Sequence, residues 1–121
     1  MADYRDLEVW KKARALTRHL AEAIKGRKEA EHADLRRQMT RACISIRANI
    51  AEGSGKWSDR EFVRFLRISL GSCNELEDHL ESASDLEYLP HPLVAKLQKE
   101  VSEIRKMLYG LIKYLERPEE Q

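Results

Sequence analysis

The sequence predicts an all-α fold, an antiparallel up-down-up-down four-helix bundle, on three observations. Apolar residues recur at three- and four-residue spacing through four long segments. Five glycines and three prolines are too few turn formers for a many-stranded sandwich or barrel. The connections between the periodic segments are short, which makes successive helices antiparallel neighbours. A chain of 121 residues can bury a core without disulfide or metal staples, so residues 1–121 are read as one domain.

The first helix, about 7–25, starts after Asp6 as N-cap and ends at Gly26, with Val9, Ala13, Leu16, Leu20 and Ile24 on one face. The second, about 34–52, turns Leu35, Met39, Ala42, Ile46 and Ile50 inward, and Gly53-Ser54-Gly55 breaks it. The third, about 59–87, opens with a capping box. In Ser58-Asp59-Arg60-Glu61 the serine hydroxyl bonds the Glu61 backbone while the Glu61 side chain reaches back, and Trp57 and Phe62 sit at staple positions across the cap. Phe62, Leu66, Ser69, Cys73, Leu76, Leu80 and Ala83 then form a bundle seam. Leu89-Pro90-His91-Pro92 is a turn, since proline is tolerated in a helix's first turn but not inside. The fourth helix, about 92–116, carries Leu93, Leu97, Val101, Ile104, Leu108, Leu111 and Leu115 and stops at Pro118.

The formal net charge of +1 sets up no overall field toward nucleic acid or a membrane surface, yet the halves differ. Residues 1–57 hold 13 Lys and Arg against 8 Asp and Glu; residues 58–121 hold 9 against 13. Glu75, Glu77, Asp78, Glu81, Asp85 and Glu87 follow one another without an intervening cation. This run is either a solvated acidic face or the complement of a basic surface on another subunit. Cys43 and Cys73 lack CxxC spacing and are read as reduced packing residues. The polar start Met-Ala-Asp-Tyr-Arg-Asp has no apolar signal core, and no stretch approaches the ~18 apolar residues of a membrane span, so the expected location is the cytoplasm with no membrane contact.

The bundle leaves small and apolar residues on the helix backs. Ile44, Ala48 and Ala51 on the second helix, and Ile68, Gly71 and Ser72 on the third, point away from the core stripe and are expected to form an oligomer interface. A glycine inside a helix costs about 1 kcal/mol relative to alanine, which invites a reason such as close approach of another backbone. Between core and back, Arg41, Ser45, Asn49 and Glu52 are expected to form a polar network, with Arg64 and Arg67 as further partners. Arg36, Arg37, Arg41 and Arg47 are the candidate nucleic-acid contacts, within a half that also holds Lys11, Lys12, Arg14, Arg18 and Lys56. A solvated mixed-charge face accounts for the same residues.

Several blocks taken together resemble a known family. They are Arg5-Asp6-Leu7-Glu8-Val9-Trp10, then Gln38-Met39-Thr40-Arg41-Ala42-Cys43-Ile44-Ser45-Ile46 with Asn49-Ile50-Ala51-Glu52-Gly53, then Glu61-Phe62-Val63-Arg64-Phe65-Leu66 and Gly71-Ser72-Cys73-Asn74-Glu75-Leu76-Glu77. In this order they resemble the bacterial four-helix-bundle family named for the 23S ribosomal-RNA intervening-sequence protein, from Tyr4 to about Leu115. The Asn-Ile-Ala-Glu-Gly block is the most specific piece, and Arg47 stands where many relatives carry proline. The resemblance implies a homopentamer. It also implies that some members are encoded within ribosomal-RNA genes without being ribosomal proteins. A more distant relative is the retroelement accessory protein, which binds RNA and a reverse transcriptase.

Catalytic chemistry is not expected. A di-iron bundle needs two Glu-x-x-His pairs, and only Glu29-x-x-His32 has that spacing, in the first connection. No Walker-type loop, nucleophile elbow or HExxH motif occurs. Gly53-Ser54-Gly55-Lys56 lacks the glycine spacing and preceding strand of a phosphate loop. The expected protein is a homo-oligomeric scaffold or adaptor without catalytic residue, cofactor, metal or small-molecule substrate. The alternative is an RNA-binding accessory protein partnering a reverse transcriptase.

Overall fold

The computed structural model describes residues 3–118. Four helices form in chain order: α1 (Glu8–Ile24), α2 (Ala33–Ser54), α3 (Asp59–Asp85) and α4 (His91–Leu115). Consecutive helices pack against one another, and α1 closes the ring against α4. The registers are antiparallel. Across α2 and α3, Ser45 meets Ser72 while Gly53 meets Phe62; across α3 and α4, Arg105 meets Glu77 while Gln98 meets Glu81.

The apolar faces converge as the spacing requires. Leu16, Met39, Ile46, Ile50, Leu66, Leu76, Leu80, Leu97, Ile104 and Leu108 are among the fully buried side chains. Burial stabilises each by roughly 1.5–3 kcal/mol relative to exposure. Both cysteines lie free in this core. Burial pushes the Cys73 thiol up to about 12, and pushes the Cys43 thiol up as well, against an opposing hydrogen bond to Thr17. Both thiols therefore stay protonated and behave as small packing groups.

The structure corrects three local expectations. Asp6 does not cap α1. Tyr4–Asp6 form a 3₁₀ turn capped by Asp3, and Leu7 is the residue that precedes the helix. The break does fall within Gly53-Ser54-Gly55, but at its end and not its start: α2 continues to Ser54 with Gly55 as its C-cap, and Gly53 is buried inside the helix. A Cβ at Gly53 would lie 2.8 Å from Phe65 Cβ and 2.9 Å from Phe62 Cδ1, so the missing side chain is what brings α2 and α3 together at this end. The third correction concerns the start of α3. The Ser58 hydroxyl accepts from the Glu61 amide at 3.2 Å, as the capping box requires. The Glu61 carboxylate, however, takes Arg64 at 3.0 Å instead of reaching back, and that guanidinium holds its carboxyl below the usual range. Trp57 is fully exposed, so no staple closes over the cap.

Candidate interaction surface

On α2, Arg37, Arg41, Ile44, Ala48 and Glu52 form an exposed stripe, the phase opposite Met39, Ile46 and Ile50. On α3, Arg64, Ile68, Gly71 and Glu75 do the same. Ile44 and Ile68 keep 48% and 43% of their surface in solvent, high for branched aliphatic side chains in the middle of long helices. Among the described residues, nothing beyond its own stretch of helix comes within 4 Å of a Cβ built on Gly71. Four of the six residues expected on an oligomer interface thus face outward: Ile44, Ala48, Ile68 and Gly71.

The other two do not. Ser72 is buried, and its hydroxyl shares a 2.7 Å hydrogen bond with Ser45 across the α2–α3 seam. Ala51 is half-buried against the core. Both sit on flanks of their helices that the neighbouring helix covers, which periodicity along one helix does not reveal.

The expected polar network is smaller than its four members. Asn49 donates to the Ser45 carbonyl at 2.8 Å and to its hydroxyl at 3.1 Å, so Ser45, Asn49 and Ser72 form one cluster. Deeper in the seam, Ser69 donates to the Ile46 carbonyl at 2.8 Å. Arg41 and Glu52 stay outside this cluster because both lie on the exposed stripe. Glu52 pairs with Lys56, Arg64 with Glu61, and Arg67 with Glu116.

Three of the four candidate nucleic-acid arginines come together. Arg36, Arg37 and Arg41 line a groove of about 570 Å³ between α1 and α2, with Lys25 and Lys28 and an apolar floor of Ala21, Ile24 and Ala33. No carboxylate lines it. Arg36 also braces the α1–α2 connection, donating to the carbonyls of Arg27 and Glu29 at 3.0 and 2.9 Å. Arg37 holds Asp34 at 3.3 Å. Arg47 lies elsewhere, over the Trp10 ring at 4.9 Å, with Arg14 over the same ring at 5.8 Å. α2 runs through this position without interruption.

Two surface features were not anticipated. Leu86, at the end of α3, is 59% exposed between the acidic residues Asp85 and Glu87. On α4, Lys99, Lys106 and Lys113 recur every seven residues on one exposed face, near the exposed rings of Tyr109 and Tyr114. The seven-residue lysine spacing was a readable signal. It was hidden in the net charge because Glu100 and Glu103 of the same helix turn toward α1, where they meet His19 and Lys12.

Among the described residues, no three His, Cys, Asp or Glu side chains gather to hold a metal ion, and no helix is long and apolar enough to cross a membrane.

A sequence model of the family described as "23S rRNA-intervening sequence protein" matches residues 5–110. No curated protein matches the chain. Among solved structures, the chain is similar to a protein of unknown function from the S23 ribosomal protein family of Bacteroides thetaiotaomicron. The two are 28% identical over 87% of this chain and 98% of that one, with a TM-score of 0.78. Neither description states a catalytic activity.

Proposed function

The chain belongs to the 23S rRNA-intervening sequence protein family, and we propose that it acts as a non-catalytic, cytoplasmic scaffold that self-associates through the outer face of α2 and α3. One observation carries this reading: Ile44, Ala48, Ile68 and Gly71 are turned to solvent on the backs of two adjoining helices whose inner faces are already filled. Apolar and small residues grouped on helix backs have more use against another copy than against water. The homopentamer implied by the family resemblance is the expected state.

Ala48→Arg tests it. Light scattering should give a smaller particle, while circular dichroism keeps its helical signal because the residue is exposed. Wild-type protein that is monomeric at high concentration would overturn the proposal.

A second reading, an RNA-binding accessory role, draws support from α4. Lys99, Lys106 and Lys113 offer cations to phosphates, and Tyr109 and Tyr114 offer rings for base stacking. RNA affinity that falls steeply between 50 and 200 mM salt (about 10³-fold or more for six phosphate contacts) would favour it. Affinity flat across that range would sink it.

A further inference from the structure

The α1–α2 groove and the α3–α4 corner are complementary in shape and charge. The groove has an apolar floor under five cations, of which Lys25, Lys28 and Arg41 have no ionic partner among the described residues. The corner presents one exposed leucine, Leu86, flanked by Asp85 and Glu87, and these carboxylates likewise have no ionic partner among the described residues. Within the chain the corner reaches the α1–α2 connection at Arg27, but among the described residues no ion pair joins Asp85 or Glu87 to the groove's cations.

The corner is also held in one conformation. Tyr88 and Leu89, which follow it, are buried, and the Tyr88 hydroxyl donates to the Arg27 carbonyl at 2.6 Å. The amides of Leu86 and Glu87 return to the Ser82 and Ser84 carbonyls at 2.9 and 3.0 Å. Glu87 takes the left-handed backbone, φ 55°, uncommon for a residue with a side chain. A knob fixed in this way loses little conformational freedom when it is captured.

We propose that the α1–α2 groove of one molecule receives the α3–α4 corner of a second copy, with Leu86 on the apolar floor and Asp85 and Glu87 facing Lys25, Lys28 and Arg41. This rests on the self-association reading and deepens it. Arg37 and Arg41 belong both to the groove and to the exposed stripe of α2, so the contact is continuous with Ile44 and Ala48. A second copy fits better than a nucleic-acid strand for two reasons. The groove has no aromatic residue in its lining to stack a base, and the chain itself carries a knob of matching chemistry. Groove and corner lie at the same end of the bundle, since the corner packs on the α1–α2 connection through Tyr88 and Arg27. Each copy therefore offers both halves of a head-to-tail contact at one level, an arrangement suited to closing into a ring.

Charge reversal in three chains tests the contact by sedimentation velocity over a concentration series. The corner variant carries Asp85→Lys with Glu87→Lys, the groove variant Lys25→Glu with Lys28→Glu, and the third chain all four substitutions. All four sites are exposed, and circular dichroism confirms that each variant is folded. Each two-site variant should need about tenfold more protein to assemble, and the four-site chain should recover wild-type assembly because the pairing is restored with its sign inverted. If all three chains assemble like wild type while Ala48→Arg still dissociates, the groove–corner contact is wrong and self-association stands. If wild type itself is monomeric throughout the series, both proposals fall. A third result would also overturn it: polyuridylate binding to the assembled protein that the groove variant loses without any change in mass would assign the groove to RNA.

Discussion

Gly53 and Gly71 lie on neighbouring packed helices, and the two places differ in what surrounds the missing side chain. At Gly53 the backbone of α2 approaches Phe62 and Phe65 so closely that a methyl group has no room. At Gly71 the space is open. The first glycine is explained within one molecule: it sets the separation of α2 and α3 at the end where they connect. The second has no intramolecular explanation, and neither does the exposure of Ile68 one turn before it. The same pair of helices thus has a seam whose glycine, serines and asparagine all have partners, and a back whose small residue has none.

The comparison can be broken most sharply at the seam. Gly53→Leu should cost about 3 kcal/mol, the upper part of the range for overpacking, read as a lower urea midpoint. A variant as stable as wild type would show that α2 and α3 can separate freely at this end. The back should respond less, and with opposite sign. Gly71→Ala should raise monomer stability by about 0.5–1 kcal/mol, because alanine restricts the unfolded chain and favours helix where nothing obstructs it. Measured at concentrations where the protein assembles, the same substitution sharpens the contrast. A gain seen only in the dilute monomer would place a neighbouring backbone against Gly71, whereas an equal gain in both states would leave that position unoccupied.

Most of the fold was legible because its signals are local. The spacing of Leu66, Ser69, Cys73, Leu76 and Leu80 identifies a seam, and Ser58 three residues before Glu61 identifies the start of α3. The misses share one cause: they depend on what a second helix does. By helical angle Ser72 lies on a flank of α3, about 70° from the seam's centre, and the α2 hydroxyl of Ser45 draws it into the seam. The break at Gly53-Ser54-Gly55 is legible, but not that Gly53 itself stays in the helix to let Phe62 and Phe65 approach. Glu61 has two uses, the cap and Arg64, and the ion pair prevails here. The candidate surface was less legible for the same reason. Charge counted by halves assigned the cations to the first two helices and passed over the lysine spacing of α4, which Glu100 and Glu103 offset in the count although they turn toward α1.

The closing contact of α1 against α4 has a kinetic consequence. The other three pairings join helices consecutive in the chain and need only short loops to close, whereas this one brings together segments separated by the whole of α2 and α3. Its polar pairs, Lys12 with Glu103 and His19 with Glu100, span 91 and 81 residues and include exposed groups. On refolding, the α2–α3 hairpin should form early and the α1–α4 closure late. By the same entropy, that closure is where the native molecule would open first.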